Sequence, residues 1–200
     1  MNWKLIDVIQ ETNHPYLNFY TLVYEVSDNG EKKEYKYFLA SRKKKDELYA
    51  LTKNERPDGV IIPCYYVDKV GEISLLITSQ FRPALNRIVT SIPAGLLDDG
   101  DDVFSCAKRE ALEEGGVVID NLELLVPTSP TSSGLSDEVN AVVLGQIVDF
   151  KDNHLEEFED ISIKLIKLKE VEKMLDDPSY FFAMNVRLII KYLLLRFKEK

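Results

Sequence analysis

Residues 93–117 read PAGLLDDGDDVFSCAKREALEEGGV. Their second half carries Glu110, Glu113 and Glu114, whose spacings of three and four place them on one face of a helix, and an acidic loop, Gly95–Gly100, leads into them. Like charges at this spacing repel one another and destabilise an isolated helix. Mg²⁺ and Mn²⁺ prefer carboxylate oxygens. The pattern therefore suggests a helix that binds hard cations.

The glutamates alone leave another interpretation open. A net charge of −9 makes acidic surfaces common in this chain, so the three side chains taken by themselves fit a solvated helix face better than a metal site. We expect the helix to cover about residues 102–115, to end at Gly115-Gly116, and to turn Phe104, Ala107 and Ala111 towards a sheet.

Composition narrows the class of protein. The 200 residues predict one domain, or one domain and a small appendage. The negative charge argues against nucleic-acid binding but not against a small anionic substrate neutralised by a metal. Cys64 and Cys106 are too few for a disulfide framework and are expected to be buried free thiols. The chain contains neither an apolar run of transmembrane length nor a signal-peptide layout at its N-terminus, so we expect no membrane partner and a cytoplasmic location.

The first part of the chain predicts a small antiparallel sheet. Alternating residues over 3–26 and 34–41 flank Asn29-Gly30, a hairpin signal. The basic cluster Arg42 to Lys45 follows, for which a solvated loop is favoured over a phosphate contact. The polar stretch 46–58 indicates a boundary.

The second part alternates strands with helices. We predict a short helix over 168–176 and a last helix over 179–198. The apolar stripe of the last helix is expected in the core and consists of Phe182, Val186, Ile189, Ile190, Leu193 and Leu194. The predicted strands lie in GVIIPCYYV, ISLLITSQ, RIVTSI, NLELLVP, EVNAVVLGQIV and ISIKLIKL.

The quoted stretch resembles the Nudix box. Gly95 opens the pattern, Asp101 stands where the family has Glu, and Arg109 begins the segment REALEEGGV at the required spacing. Asp101 and Ala111, which replaces a larger aliphatic residue, are the two departures over 23 positions. A pattern with this many fixed spacings is specific, and it shifts the interpretation of the glutamates towards metal binding.

Three further segments resemble the ADP-ribose and nucleoside-diphosphate-sugar pyrophosphatase branch of that family. They are SQFRPALNRIVTSIPAG, SPTSSGLSDE and EEFEDISIKLI. The resemblance implies an α/β (α+β) Nudix fold, a mixed β-sheet sandwiched between helices, with a small N-terminal antiparallel sheet. It also implies an N-terminal region, 1–57, used for homodimerisation, and a Nudix hydrolase domain over 58–200.

The resemblance also assigns roles to residues of this chain. Mg²⁺ is the implied cofactor, with Mn²⁺ as a possible substitute. The implied metal-binding residues are Ala94 (through its carbonyl), Glu110, Glu113 and Glu114. The implied catalytic residues are Glu157, Glu159 and Glu113. The residues expected to bind substrate are Arg82, Ser91, Glu138 and Arg42.

The implied reaction converts ADP-ribose, or a related nucleoside diphosphate sugar, to a nucleoside monophosphate and a sugar phosphate. His14 and His154 have no motif around them and are expected in surface loops, so attack by water is favoured over a protein nucleophile. Ser91 stands where the branch usually has Glu, which argues against a fixed preference for ADP-ribose. The alternatives are a weakly active or inactive Nudix module that acts as a nucleotide sensor or interaction domain, and, less expected, a nucleoside triphosphatase. Five aromatic residues could stack on a base across a dimer, although sheet packing is favoured at each: Trp3, Tyr16, Phe19, Tyr20 and Phe38.

Overall fold

The computed structural model describes residues 1–155 and 160–198. The strands within these ranges are β1 (Asn2–Gln10), β2 (Asn18–Asp28), β3 (Glu31–Ser41), β4 (Gly59–Ile61), β5 (Cys64–Val67), β6 (Ile73–Arg82), β7 (Arg87–Ser91), β8 (Ala94–Leu96), β9 (Val117–Pro130), β10 (Val139–Phe150) and β11 (Ile161–Lys167). The helices are α1 (Tyr49–Thr52), α2 (Val103–Glu113), α3 (Leu168–Asp176) and α4 (Met184–Lys198).

The chain divides into two compact units. The smaller unit comprises Met1–Asp58 and Thr128–Asn140, and the larger unit comprises Gly59–Pro127 and Ala141–Lys200. The end of β9 and the loop that follows it thus belong with the N-terminal sheet. The functional division into a dimerisation region, 1–57, and a hydrolase domain, 58–200, stays a prediction.

The smaller unit contains the antiparallel sheet β1-β2-β3. Its central hairpin turns at Asn29 and Gly30, whose φ angles of 49° and 86° are those of a tight turn with left-handed residues, as the sequence predicts. One face of the sheet forms a core whose buried members are Val8, Tyr20, Leu22, Leu39 and Leu48.

The aromatic residues of this sheet have different surroundings. Tyr20 is fully buried, which agrees with sheet packing. Trp3 meets Tyr24 and Tyr35 edge-on, at ring separations of 5.8 and 5.3 Å. Phe19 and Phe38 stack on each other at 5.9 Å, and Tyr16 is exposed.

The larger unit is built on a mixed sheet with the strand order β11-β6-β5-β10-β4-β8, with β7 added to β6 and β9 to β10. β5 and β10 run parallel, whereas β6 is antiparallel to β5, β7 and β11. Pro63 separates β4 from β5, so the predicted strand GVIIPCYYV is two short strands, because proline cannot donate to a ladder.

Helices cover both faces of this sheet. Consecutive strand residues point to opposite faces, so Val60 and Ile62 pack under α2 while Ile61 packs with α3 and α4. The α2 layer buries Cys106, Ala107 and Ala111. Phe104 was expected beside these alanines, but it is 39% exposed because the face that meets the sheet is centred on Ala107. The predicted sandwich of helices around a mixed sheet is confirmed.

The last helix begins later than predicted. α4 starts at Met184 because the residues before it pair with β7: Thr90 N donates to the Phe181 carbonyl at 2.8 Å, and Ala183 N donates to the Thr90 carbonyl at 3.2 Å. These hydrogen bonds hold the chain extended where a helix was expected. The predicted bounds of α3 and the apolar stripe of α4 are confirmed, with Ile189 partly buried.

Both cysteines are free and buried, as predicted. Burial raises the pKa of the Cys64 thiol well above its ordinary value and raises that of Cys106 to about 12. Across the described ranges, the helices all fall short of the length and apolar character needed to span a membrane.

Candidate active site

The acidic helix α2 starts at a firm cap. Asp102 accepts hydrogen bonds from Phe104 N and Ser105 N, each at 2.8 Å, and Asp102 N donates to Ser105 Oγ at 2.9 Å. This reciprocal arrangement satisfies donors that the first helical turn would leave unpaired. It fixes where the helix begins and therefore which side chains point towards the loop before it.

Glu110 lies against Gly95. A Cβ atom placed on Gly95 would come within 1.9 Å of Glu110 Cδ, so the carboxylate occupies the space that any other residue's side chain would need. Glu110 is buried to 9% exposure, which is unusual for a carboxylate unless its oxygens are paired. The glycine that opens the box is required here by close approach.

Glu114 lies against the same loop one helical turn later. Its Oε2 accepts a hydrogen bond from Ala94 N at 2.9 Å. Ala94 belongs to β8 and pairs with Ile61 of β4, so its backbone is held by the sheet. Glu110 of α2 and Glu114, the C-cap of that helix, are thus packed against consecutive residues of one strand.

Arg109 joins the helix to the acidic loop. Its Nη1 donates to Glu110 Oε1 at 2.7 Å and to Glu113 Oε2 at 3.1 Å. Its Nη2 donates to Asp101 Oδ2 at 3.1 Å and to the Leu96 carbonyl at 2.9 Å, and it lies 3.3 Å from Asp98. The guanidinium fork suits this role, because it presents several donors in a fixed plane.

The charges in this cluster support one another. Burial opposes the charge of Arg109, but its hydrogen bonds with Asp101 and Glu110 outweigh that effect and raise the pKa of the guanidinium. The hydrogen bond from Arg109 lowers the pKa of Asp101, and Ser105 Oγ, 3.1 Å from Asp101 Oδ1, acts in the same direction. The aspartate at this position, although one methylene shorter than glutamate, still reaches the arginine.

The donor set fits a divalent cation in its chemistry. Glu110, Glu113 and Glu114 supply carboxylate oxygens on one helix, which are the ligands that Mg²⁺ and Mn²⁺ prefer. Over residues 1–155 and 160–198, no three histidine, cysteine, aspartate or glutamate side chains are already arranged as a complete metal cluster. Arg109 holds Glu110 and Glu113 at present, so metal binding through these oxygens requires a local change in those two hydrogen bonds.

Two predicted substrate residues lie on β6 and β7 of the larger unit. Arg82 is exposed at the end of β6, directly opposite Arg87 in the ladder. Like charges opposite each other destabilise a strand pair, so this position favours an anion nearby. Ser91 is half-buried, and its Oγ donates to the Ile92 carbonyl at 3.2 Å.

The two other predicted substrate residues lie in the smaller unit. Arg42 is exposed just after β3. Glu138 is half-buried, and its Oε1 accepts hydrogen bonds from Thr131 Oγ1 at 3.1 Å and from Asn140 Nδ2 at 3.3 Å. The residues on either side of Glu138 are held by two side chains: Lys43 Nζ donates to the Asp137 carbonyl, and Asp58 Oδ2 accepts from Val139 N. The sequence analysis missed these contacts because the partners lie far apart in the chain.

Two predicted catalytic residues, Glu157 and Glu159, lie outside the described residues. His14 and His154 are exposed, as expected for loop histidines. The structure gives Arg109 four acidic neighbours, a role that the sequence analysis did not predict. Of these neighbours, Asp98 was not singled out from the sequence, although the acidic composition of the loop 95–101 was an available signal.

Comparison with known proteins identifies the motif. The family model of the NUDIX domain matches residues 55–183, which is more than half of the chain. A solved structure of an ADP compounds hydrolase superposes with a TM-score of 0.71 over 99% of this chain and 96% of that one, at 18% identity, so it supports the fold alone.

Two bacterial relatives give further comparisons. An ADP-ribose pyrophosphatase of Bacillus subtilis (strain 168) is 28% identical over 127 residues, which are 62% of this chain and 68% of that enzyme. The methanol dehydrogenase activator of Bacillus methanolicus is 32% identical over 98 residues, which are 49% of this chain and 52% of that protein. The match with the activator therefore spans only about half of the relative.

Proposed function

The chain belongs to the NUDIX family, and from this premise we propose that it is a metal-dependent hydrolase of nucleoside diphosphate sugars. The reaction is the attack of water on the diphosphate of ADP-ribose or a related compound. It releases a nucleoside monophosphate and a sugar phosphate. The similarity to the B. subtilis ADP-ribose pyrophosphatase supports this choice of substrate class.

One observation carries the proposal: the carboxylates of α2 are packed against the strand that precedes the helix. Gly95 leaves room for Glu110, Ala94 N holds Glu114, and Arg109 holds Glu113. A merely solvated acidic face would not bury Glu110 or fasten Glu114 to a strand. The alternative left open by composition is therefore disfavoured.

Glu110, Glu113, Glu114 and the Ala94 carbonyl are the residues proposed to hold Mg²⁺, or Mn²⁺ in its place. Bound there, the cation would neutralise the diphosphate and lower the pKa of a water molecule. Arg109 keeps the glutamates from repelling one another, and Ala94 N keeps the Glu114 carboxylate aimed away from solvent. Preorganised charges of this kind lower the barrier without rearranging during the reaction.

The remaining roles are proposed for single residues. Arg82 binds a phosphate oxygen, which its like-charged neighbour Arg87 favours. Arg42 is a second candidate for phosphate contact. Glu157, with Glu159 as the next candidate, orients the attacking water. Ser91 replaces a carboxylate with a hydroxyl, so we expect a broader range of sugars than a carboxylate at that position would allow.

The decisive experiment is a hydrolysis screen over ADP-ribose and other nucleoside diphosphate sugars with Mg²⁺, in which the wild type is compared with Glu114→Gln. We expect the variant to lose about 10²-fold to 10³-fold in kcat, the scale seen when a single charge-stabilising group is removed. Glu172→Gln is the matched control, since this glutamate forms an exposed surface ion pair with Lys198.

Equal rates for wild type and Glu114→Gln would refute the metal-binding role of Glu114. Thermal stabilisation by ADP-ribose without turnover in the wild type would instead favour the nucleotide sensor. Chelation by EDTA followed by addition of Mg²⁺ or Mn²⁺ identifies the cation, because only the functional metal restores the rate.

Assembly and location complete the proposal. We propose a cytoplasmic homodimer that uses the N-terminal sheet, whose exposed Ile9, Phe19 and Phe38 provide apolar surface. Light scattering during size-exclusion chromatography measures the mass directly. A mass equal to the 22.9 kDa of one chain at micromolar concentration would refute the dimer.

A further inference from the structure

Asn140 in the smaller unit donates one side-chain hydrogen bond and leaves its side-chain oxygen without one. Its Nδ2 donates to Glu138 Oε1 at 3.3 Å. Its Oδ1 is buried and has no hydrogen-bond partner among the described residues. A buried, unpaired acceptor is destabilising, and each such case in a folded protein calls for a reason. Turning the amide over would bring its oxygen against the Glu138 carboxylate, which would be repulsive, so the glutamate dictates this orientation.

Thr131 contacts the same carboxylate oxygen of Glu138. Its Oγ1 lies 3.1 Å from Glu138 Oε1, and its backbone N donates to the Glu138 carbonyl at 3.0 Å. In the described part of the chain, both side-chain donors to Glu138 thus converge on Oε1. The contacts from Asn140 and Thr131 restrict the rotation of the carboxylate and leave its other oxygen for a further donor.

The backbone on both sides of Glu138 is held by a distant segment. Asp58 Oδ2 accepts from Val139 N at 2.9 Å and from Lys43 Nζ at 2.7 Å. Lys43 Nζ also reaches the Asp137 carbonyl at 3.3 Å. This ion pair is about three-quarters buried on each side chain, which gives it more weight than an exposed pair.

We propose that Asn140 is a positioning residue that aims the Glu138 carboxylate at a hydroxyl of the substrate, from a loop that Lys43 and Asp58 hold in place. The inference rests on the proposed function and on the expectation from the sequence that Glu138 binds substrate. A carboxylate accepts hydrogen bonds and repels phosphate, so its partner is a donor such as a sugar hydroxyl. Lys43, within the basic cluster of the sequence, then serves the loop and not a phosphate.

The test uses Asn140→Leu, which removes both the donor and the unpaired acceptor. A purely structural asparagine would lower the unfolding temperature on replacement, whereas relief of a buried unpaired oxygen leaves it unchanged or raised. We expect KM for ADP-ribose to rise about tenfold with kcat nearly unchanged. In a Glu138→Gln background the same substitution should change KM less than about twofold, because the carboxylate that it aims is already gone.

Lys43→Met tests whether the contacts of Lys43 hold the Glu138 loop in place, and Lys43→Arg is the conservative variant that keeps the charge. Lys32→Met is the matched control, because it breaks an exposed pair with Glu25 in the same sheet. Lys43→Met should raise KM and speed hydrogen exchange at the Val139 amide, and Lys32→Met should do neither. Normal KM in Asn140→Leu, or effects that multiply with Glu138→Gln, would overturn this inference. A wild type that hydrolyses no sugar nucleotide would overturn the proposed function itself.

Discussion

Two carboxylate arrangements in this molecule are held in opposite ways. In the larger unit, Arg109 binds Glu110 and Glu113, one and four residues away on the same helix. In the smaller unit, the loop around Glu138 is gripped by Lys43 and Asp58, whose contacts to it span 94 and 81 residues of sequence. The first arrangement is set by helical spacing, and the second exists only once the chain has folded.

This difference decides how each arrangement fails. A helix brings residues four apart together without closing a long loop, so the acidic cluster depends mainly on local packing. The Glu138 loop depends on contacts between residues far apart in sequence. The entropy lost when these long segments close must be offset by other interactions in the smaller unit. Substitutions near α2 should therefore lower activity more than stability. The addition of a single methyl group next to the glutamates is expected to have a large effect.

Gly95→Ala should have the largest effect, because Glu110 already occupies the space that a side chain at position 95 would need. The new methyl would lie 1.9 Å from Glu110 Cδ, so the carboxylate or the strand must move. We expect kcat to fall about 10²-fold to 10³-fold and stability to fall by about 1–3 kcal/mol. Chemical denaturation and steady-state kinetics measure the two effects. Gly134→Ala, where a Cβ meets nothing within 4 Å, should leave stability unchanged.

Arg109→Lys should have the next largest effect. An ammonium keeps the charge but cannot present two nitrogens to four acidic groups, so the glutamates lose their common orientation. Loss of such supporting contacts costs about 10–100-fold in metal affinity or activity. Mg²⁺ titration of the rate should show a raised metal requirement. Arg196→Lys is the control: it alters a bidentate surface ion pair with Glu123 and should leave the rate unchanged.

Acid should expose the contribution of Asp101 to stability. Arg109 holds the pKa of Asp101 below its ordinary value, so the stabilisation is complete above the unfolded-state pKa of aspartate and is lost as the pH falls through the lower folded value. Wild type should thus lose more thermal stability than Asp101→Asn between neutral pH and the acid range. A parallel decline in both proteins, measured by calorimetry, would contradict this. The exposed Asp152→Asn provides the comparison.

Asp102→Ala should have the smallest effect. It tests whether the stability of the start of α2 can be lowered without a loss of kcat. The backbone hydrogen bonds from Ser105 and Phe104 lower the pKa of this cap, and its loss frees the first turn of α2. We expect the unfolding temperature to fall by about 2–4 °C while kcat stays within about twofold, since Arg109 and the glutamates lie in later turns. A large loss of kcat would mean that the first turn shapes the whole cluster.

The same contrast explains what could be predicted from the sequence. Glu110, Glu113 and Glu114 were assigned to one face by spacing alone, and Asn29-Gly30 fixed a hairpin, because both patterns are local. The bounds of α3 were also predictable from its own periodicity. The burial of Glu110 against Gly95 was not, because only the packing of α2 on β8 brings them together.

Two of the errors have the same physical cause. Residues 181–183 were assigned to the last helix, but they form hydrogen bonds with Thr90. Because Thr90 lies about ninety positions upstream, the sequence around residues 181–183 does not reveal this pairing. Lys43 was read as part of a solvated basic cluster because its partner Asp58 follows fifteen residues later across a polar stretch. Tertiary contacts overrode local preference in both cases.

The two buried thiols offer a clock for motion in the layer beneath α2. Cys64 and Cys106 share that layer, and their raised pKa values keep them in the unreactive protonated form. An alkylating reagent would therefore modify them only when the helix parts from the sheet. The labelling rate of the unmodified protein counts those openings, and a slower rate with Mg²⁺ present would show that the cation closes the layer.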